Sequence, residues 1–143
     1  MLFRSRSDPT PTEHSAGGRR ILIVDDNCDS ATSLAMMIQL MGNETETAFD
    51  GFEALEVGGK FQPDLILLDI GMPRMNGYEA ARRIRGEPWG RDLTLVALTG
   101  WGQEEDRRKS QDAGFDHHLT KPISLTQLEK LLAAFNDAAG TPT

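Results

Sequence analysis

Four short stretches hold the residues that could do chemistry: Asp25-Asp26-Asn27, Asp69-Ile70-Gly71-Met72-Pro73, Thr99-Gly100-Trp101 and Thr120-Lys121-Pro122. Together they offer three carboxylates, a hydroxyl and an ammonium. Three carboxylates brought within a few ångströms repel one another, and their pKa values rise unless a cation joins them. The ligands are all oxygen, with no adjacent His or Cys, so the fitting cation is hard: Mg²⁺, or Mn²⁺ in its place. Mg²⁺ keeps waters and favours a phosphate as a further ligand. Lys121 could then pair with a second phosphoryl oxygen, and the Thr99 hydroxyl could donate to a third. Asp69 is a candidate nucleophile, since carboxylates form aspartyl-phosphates. Each piece has a plainer reading alone. Asp25-Asp26 can be a turn or a helix cap, Asp69 a solvated strand end, Thr99 a cap, and Lys121-Pro122 an ordinary loop.

What joins the four pieces is their position after apolar runs. Ile21–Val24, Leu65–Leu68 and Leu93–Leu98 are continuous runs of the kind a strand buried on both faces shows. Glu44–Phe49 and Asp116–Leu119 are weaker strand candidates. Helical patterns lie between them. Asn27–Met41 carries Leu34, Ile38 and Met41 as a stripe. Asp50–Val57 and Gly77–Arg85 are shorter, and Ser124–Phe135 opens with a capping box, Ser-Leu-Thr-Gln. Gln103–Ala113 has almost no apolar residue and must lean on pairs such as Glu104–Arg108 and Glu105–Lys109. Strand and helix alternate five times, which implies a parallel sheet with helices on both faces. In such sheets ligands bind beyond the carboxyl ends of the strands, so the four pieces fall on one edge.

Composition narrows the field further. The chain has 143 residues, enough for one domain with a core of its own. One cysteine, Cys28, excludes an internal disulfide framework and a Cys-based zinc site. The net charge of −7 argues against a nucleic-acid binder with a basic face. The first 18 residues, MLFRSRSDPTPTEHSAGG, lack the apolar core of a secretion signal and read as a flexible tail. Residues 19–136 then form the domain and 137–143 a second tail. No apolar run is long enough to span a membrane, so the expectation is a soluble, cytoplasmic protein.

From Arg19 to about Phe135 the chain resembles a response-regulator receiver domain of two-component signalling. The resemblance is carried by ILIVDDN, LILLDIGMPRMNGYE, ALTG and AGFDHHLTKP. It implies a flavodoxin-like, doubly wound α/β fold with a five-stranded parallel sheet of order 2-1-3-4-5 and five helices. It implies that Asp69 accepts a phosphoryl group from a phosphohistidine on a sensor histidine kinase or a histidine phosphotransfer protein. Asp26 and Asp69 would bind Mg²⁺ directly, Asp25 mainly through water, and Gly71 through its backbone carbonyl. Thr99 and Lys121 would bind the phosphoryl oxygens, and Pro122 would follow Lys121 through a cis peptide.

The family usually places Tyr or Phe three residues before the Lys, as partner of the switch Thr; here that position is His118. A ring that titrates near neutral pH suggests a pH-sensitive switch, against a half-exposed His without special role. Trp101 is expected to overhang the site and Gly71 to leave its other side bare. Phe49, Phe52, Phe61, Tyr78, Leu34 and Phe135 stand at core spacings. Met36, Met37, Leu40 and Met41 exceed what one buried stripe needs, which is either partial core or a docking surface.

Three functions compete. The first is a phosphorylation-activated switch, monomer or weak dimer, that signals by contact with a downstream protein target. The second is a Mg²⁺-dependent phosphohydrolase with an Asp nucleophile, whose usual Asp-x-Asp on the first strand is absent. The third is an unphosphorylated receiver-like interaction module, which would need a missing site residue. A nucleotide site fails because acid, not a glycine-rich loop, follows the first strand.

Overall fold

The computed structural model describes residues 18–72, 75–100 and 111–140. Five strands form one parallel sheet in the order β2-β1-β3-β4-β5. They are β1 (Arg20–Val24), β2 (Glu44–Ala48), β3 (Leu65–Asp69), β4 (Thr94–Thr99) and β5 (His117–Thr120). The helices are α1 (Cys28–Leu40), α2 (Gly51–Phe61), α3 (Gly77–Arg85), α4, described over residues 111–113, and α5 (Leu125–Gly140). The flavodoxin-like order expected from the sequence is the order observed.

The central strands are apolar throughout because both their faces are covered. Ile21–Val24 and Leu65–Leu68 are all 0% exposed. Alternation along each strand splits them into two cores. Leu22, Val24, Ile66, Leu68, Leu95 and Ala97 pack on the side of α2 and α3 with Ala54, Ala80 and Ile84. Ile21, Ile23, Leu65, Leu67, Val96 and Leu98 face α1 and α5, against Leu34, Ile38, Leu128 and Leu132. The edge strand β2 reads Glu-Thr-Glu-Thr-Ala and buries only Ala48. Its outward carboxylates discourage pairing with another edge.

Short polar caps start the helices directly after the strands. Asn27, Asp50 and Asn76 each accept a hydrogen bond from a backbone N–H three residues on, those of Ser30, Glu53 and Glu79. Ser124 and Gln127 form the expected reciprocal box: each side chain accepts from the other's backbone N–H, at 3.1 and 2.9 Å.

Several elements run differently from their sequence expectation. α2 does not stop at Val57 but passes through Gly58-Gly59 to Phe61, with Gln62 in the left-handed region at φ 56°. Gly58 is there for packing: a Cβ would stand 2.4 Å from the Trp89 ring. α5 continues past Phe135 to Gly140, into the stretch expected as a tail. β4 and β5 each begin and end one residue later than expected. Phe52 is not a core residue; it is 53% exposed, with the Arg83 guanidinium 6.0 Å above its ring. Leu125, in the first turn of α5, is 47% exposed. Met36 and Leu40 are 58% and 87% exposed, whereas Met37 and Met41 are half-buried against the core. Most of Gln103–Ala113 lies outside the described residues, although Ala113 is buried.

Arg85 ties the far edge of the sheet together. Its guanidinium donates to the carbonyls of Gly90, Leu93 and Gly114 at 2.7–3.1 Å and to the Asp116 carboxylate at 2.8 Å. Leu93, expected to open the fourth strand, instead gives its carbonyl to this fork. Asp116 also accepts from the Leu95 N–H at 2.9 Å, so the fork sets where β4 and β5 begin. Gly114 has a φ of 106° and no room for a side chain against the Arg85 stem. Arg85→Ala leaves several carbonyls without a charged donor. The expected loss is about 3 kcal/mol of stability in urea unfolding, with an unchanged m-value.

Candidate functional site

The carboxyl ends of β1, β3, β4 and β5 meet at one edge of the sheet. Asp25 follows β1, its N–H donating to the Ala48 carbonyl at 3.1 Å. Its side chain is 0% exposed. One carboxylate oxygen accepts from the Asn27 N–H at 3.0 Å, and the other accepts from Lys121 Nζ at 3.1 Å. Asp69 ends β3; its Oδ1 accepts from the Gly71 N–H at 3.1 Å and its Oδ2 lies 3.3 Å from Lys121 Nζ. Asp26 is exposed. Carboxylate oxygens of Asp25, Asp26 and Asp69 lie within 4.8 Å of one another. The cluster anticipated from strand ends is therefore present as a cluster.

Thr99 ends β4 and is buried, with its hydroxyl donating to the Leu119 carbonyl at 3.4 Å. Its carbonyl accepts from the Lys121 N–H at 2.7 Å, which continues the β4–β5 ladder up to the ammonium-bearing residue. The Lys121–Pro122 peptide is cis. Pro122 is exposed. His118 is half-buried and lies opposite Ala97, so strand alternation puts it on the same face as Thr99. Pro73 and Trp101 lie outside the described residues.

The electrostatics follow from this crowding. Burial pushes the Asp69 carboxyl above its ordinary value. The Gly71 N–H and Lys121 oppose that rise, and the Asp25 charge adds to it. Burial alone would lower Lys121, but the Asp69 charge and the Asp25 hydrogen bond outweigh it and hold the ammonium above its usual value. Among the described residues, one cation, Lys121, pairs with two of the three carboxylates, Asp25 and Asp69. All-oxygen donors this close, with one of them exposed, fit a small hard divalent ion and do not suit a thiolate- or imidazole-loving metal.

Sequence reasoning missed three contributions. Asn27 caps α1 through its side chain and holds Asp25 through its backbone N–H. The Gly71 amide donates to the Asp69 carboxylate, a role beyond the carbonyl contact with the ion that the resemblance implied. Gly77 lets the start of α3 lie against the end of β3: a Cβ there would be 2.4 Å from Ile70 Cα and 2.7 Å from the Asp69 carbonyl oxygen. The Asn-Gly pair looks like an ordinary cap in sequence, and nothing local marks the close approach.

Comparison with known proteins gives a consistent result. A family model described as the response regulator receiver domain matches residues 21–133. The chain is 39% identical over 109 residues to the response regulator MprA of Mycobacterium tuberculosis, covering 76% of this chain and 46% of MprA. It is 36% identical over 115 residues to an uncharacterised 14.6 kDa protein of Leptolyngbya boryana, covering 80% of this chain and 88% of that protein. The chain spans about half the length of the named regulators it matches. Among solved structures, the chemotaxis protein CheY4 of Vibrio cholerae superposes with a TM-score of 0.77 at 30% identity, over 81% of this chain and 97% of that one. The receiver domain of the sensor histidine kinase PA1611 of Pseudomonas aeruginosa, which holds a magnesium ion in its active-site cleft, gives 0.75 at 31% identity, over 84% of this chain. It is covered to 98%.

Proposed function

We propose that this chain, which belongs to the response regulator receiver family, is a phosphorylation-activated switch with Asp69 as its phosphoacceptor. The observation that carries the proposal is one cluster: Asp25, Asp26 and Asp69 within 4.8 Å, and Lys121 Nζ 3.3 Å from Asp69. The donor is a phosphohistidine on a sensor histidine kinase or a histidine phosphotransfer protein. An Asp69 carboxylate oxygen forms the new P–O bond as the donor's P–N bond breaks. Lys121 offers its ammonium to a phosphoryl oxygen, and Thr99 turns its hydroxyl from the Leu119 carbonyl to another. Asp26, Asp69 and the Gly71 carbonyl would hold Mg²⁺ directly, with Asp25, already bonded through both oxygens, acting through water. The ion, when bound, neutralises the carboxylates and draws phosphoryl oxygens toward them. Mn²⁺ shares the required hardness and size class.

The chain catalyses only its own phosphorylation and dephosphorylation. Occupying the Thr99 hydroxyl alters its bond to β5, and His118 on the same face is placed to respond. The signal leaves by contact with a downstream protein. Among the described residues no helix is long and apolar enough to cross a membrane. One relative, RpaA of Synechocystis, is named as a DNA-binding regulator, but this chain matches only 45% of it.

The test uses acetyl phosphate with and without Mg²⁺, followed by intact mass. A single labile phosphoryl adduct is expected on the wild type with Mg²⁺, and none on Asp69→Asn. Absence of any adduct on the wild type would overturn the proposal. Multiple-turnover hydrolysis of unrelated phosphate esters would favour a phosphohydrolase.

A further inference from the structure

Among the described residues, β2 pairs with β1 alone and forms an open edge of the sheet. Its sequence alternates Glu44-Thr45-Glu46-Thr47, and a strand sends alternate side chains to opposite faces. Ala48 lies in the core on the α2 side, so Glu44 and Glu46 face that side. Thr45 faces the other, where its hydroxyl accepts from the Gln39 side chain of α1 at 2.6 Å. Both carboxylates are exposed, and among the described residues no cation stands within ion-pair distance of either. The nearby cations are engaged elsewhere. Lys60 lies 3.9 Å from Glu56, and Arg20 donates from Nε to the Gln62 carbonyl with its guanidinium 6.0 Å from the Phe61 ring. Between β2 and α2, Glu46, Val57, Lys60 and Phe61 line a hollow of about 310 Å³. The edge thus offers backbone groups for a further strand, two carboxylates two residues apart, and an apolar recess beside them.

We propose that Arg4-Ser5-Arg6 of this same chain, flanked by Phe3 and Ser7, pairs with the β2 edge as a sixth, antiparallel strand. Residues 1–17 lie outside the described residues, and Arg4 and Arg6 are the only Arg or Lys among them. Their spacing of two matches that of Glu44 and Glu46. A strand that sets Arg4 opposite Glu46 therefore also sets Arg6 opposite Glu44 and Ser5 opposite Thr45. Opposite charges and Ser–Thr pairs directly across a ladder are both favourable. The Arg4 stem would lie over Val57 and Phe61, filling the hollow with methylenes while its guanidinium meets Glu46. The chain path selects the direction. Ser7 must end near the start of β1, where Gly18 leads into the sheet, and a strand antiparallel to β2 ends there. The outer edge of β2 is two strand spacings from β1, about 10 Å. Residues 8–17 reach about 33 Å when extended, more than the crossing needs. Pro9 and Pro11 fall in that link, where no ladder needs an N–H from them. A second copy's β2 would bring its own carboxylates against these, so the basic segment of the same chain is the fitting occupant.

The experiment reads disulfide closure in the full chain under mild oxidation, with Cys28→Ser removing the exposed native thiol. One variant joins Ser5→Cys to Thr45→Cys, positions directly opposite in the antiparallel register. The other joins Ser7→Cys to Thr47→Cys, which that register holds apart, because Ser7 then stands opposite Asn43. A disulfide needs Cα atoms within about 7 Å, so the 5–45 pair is expected to close within one chain at least about tenfold faster than the 7–47 pair. Reversing the charges with Arg4→Glu and Arg6→Glu is expected to slow 5–45 closure about tenfold, and adding Glu44→Arg and Glu46→Arg to restore it. Equal rates for the two pairs would overturn the proposed strand, since an unpaired segment or a parallel strand gives that result. Failure of the 5–45 pair to close, or closure indifferent to the charge reversals, would overturn it as well. Bonds formed only between chains would give the edge to a second copy and overturn the pairing within one chain.

Discussion

Lys121→Ala is expected to slow phosphoryl uptake from a small donor by about a hundredfold to a thousandfold, and this loss should persist at saturating Mg²⁺. Removing one preorganised donor from a site of developing charge costs roughly that factor. Here the donor is held between Asp25 and Asp69 at 3.1 and 3.3 Å, so under the proposed function its ammonium already stands beside the carboxylate that would take the phosphoryl group. Both carboxylates hold the group in its charged form. Stability should behave differently from rate. In EDTA the variant leaves the fully buried Asp25 facing Asp69 without its cation, and breaking such a pair is strongly destabilising. Mg²⁺ supplies positive charge to the same oxygens and stabilises the folded form by mass action. The melting temperature of Lys121→Ala should therefore drop in EDTA and recover largely with Mg²⁺, while the rate does not recover. A rate restored along with stability would mean that Lys121 only holds the fold.

That separation also shows which parts of the site were legible in sequence. Lys121 follows the half-exposed His-His-Leu-Thr of β5 and was placed by the alternation of strand and helix, whereas Asp25, Asp69 and Thr99 could be placed on one edge because the strands before them are buried on both faces. Such strands are unbroken apolar runs with sharp polar ends, and a parallel sheet sends all those ends the same way. The helix boundaries were less legible, because tertiary contacts decide them. Gly58-Gly59 reads as a stop signal, yet α2 continues because Trp89 fills the space a side chain would take. Phe52 stands at a core spacing, but α2 turns it outward beneath Arg83. Arg85 reads as one more basic residue near a helix end, and only the fold shows two chain stretches, 90–93 and 114–116, converging on its guanidinium. Close approaches and long-range polar clamps leave no local trace in the residues that make them.

Gly77→Ala tests the least visible of these contacts. By helix propensity alone it should help, because Ala is favoured over Gly by about 1 kcal/mol inside a helix. The added methyl, however, would stand 2.4 Å from Ile70 Cα, 2.7 Å from the Asp69 carbonyl oxygen and 2.9 Å from Ile70 Cγ2. The nearest two are backbone atoms, which no rotamer change can clear. Either the start of α3 moves off the sheet, breaking the 3.1 Å bond from the Gly77 N–H to the Ile70 carbonyl, or the Asp69–Gly71 turn moves with it. Overpacking of this kind costs about 3 kcal/mol, which outweighs the propensity gain. The second consequence is specific to the site. The displaced turn carries the Asp69 carboxylate and the Gly71 amide and carbonyl, so Mg²⁺ affinity should fall by about tenfold or more, in line with loss of a support behind metal ligands. Gly90→Ala is the control. Its methyl would stand 1.9 Å from the Ile84 carbonyl oxygen, an equally severe clash, but at the opposite edge of the sheet. Both variants should lose stability in urea unfolding, and only Gly77→Ala should lose Mg²⁺ affinity in a titration below the melting temperature. Equal losses of affinity in the two would show that Gly77 acts through general stability and not through the turn that carries Asp69.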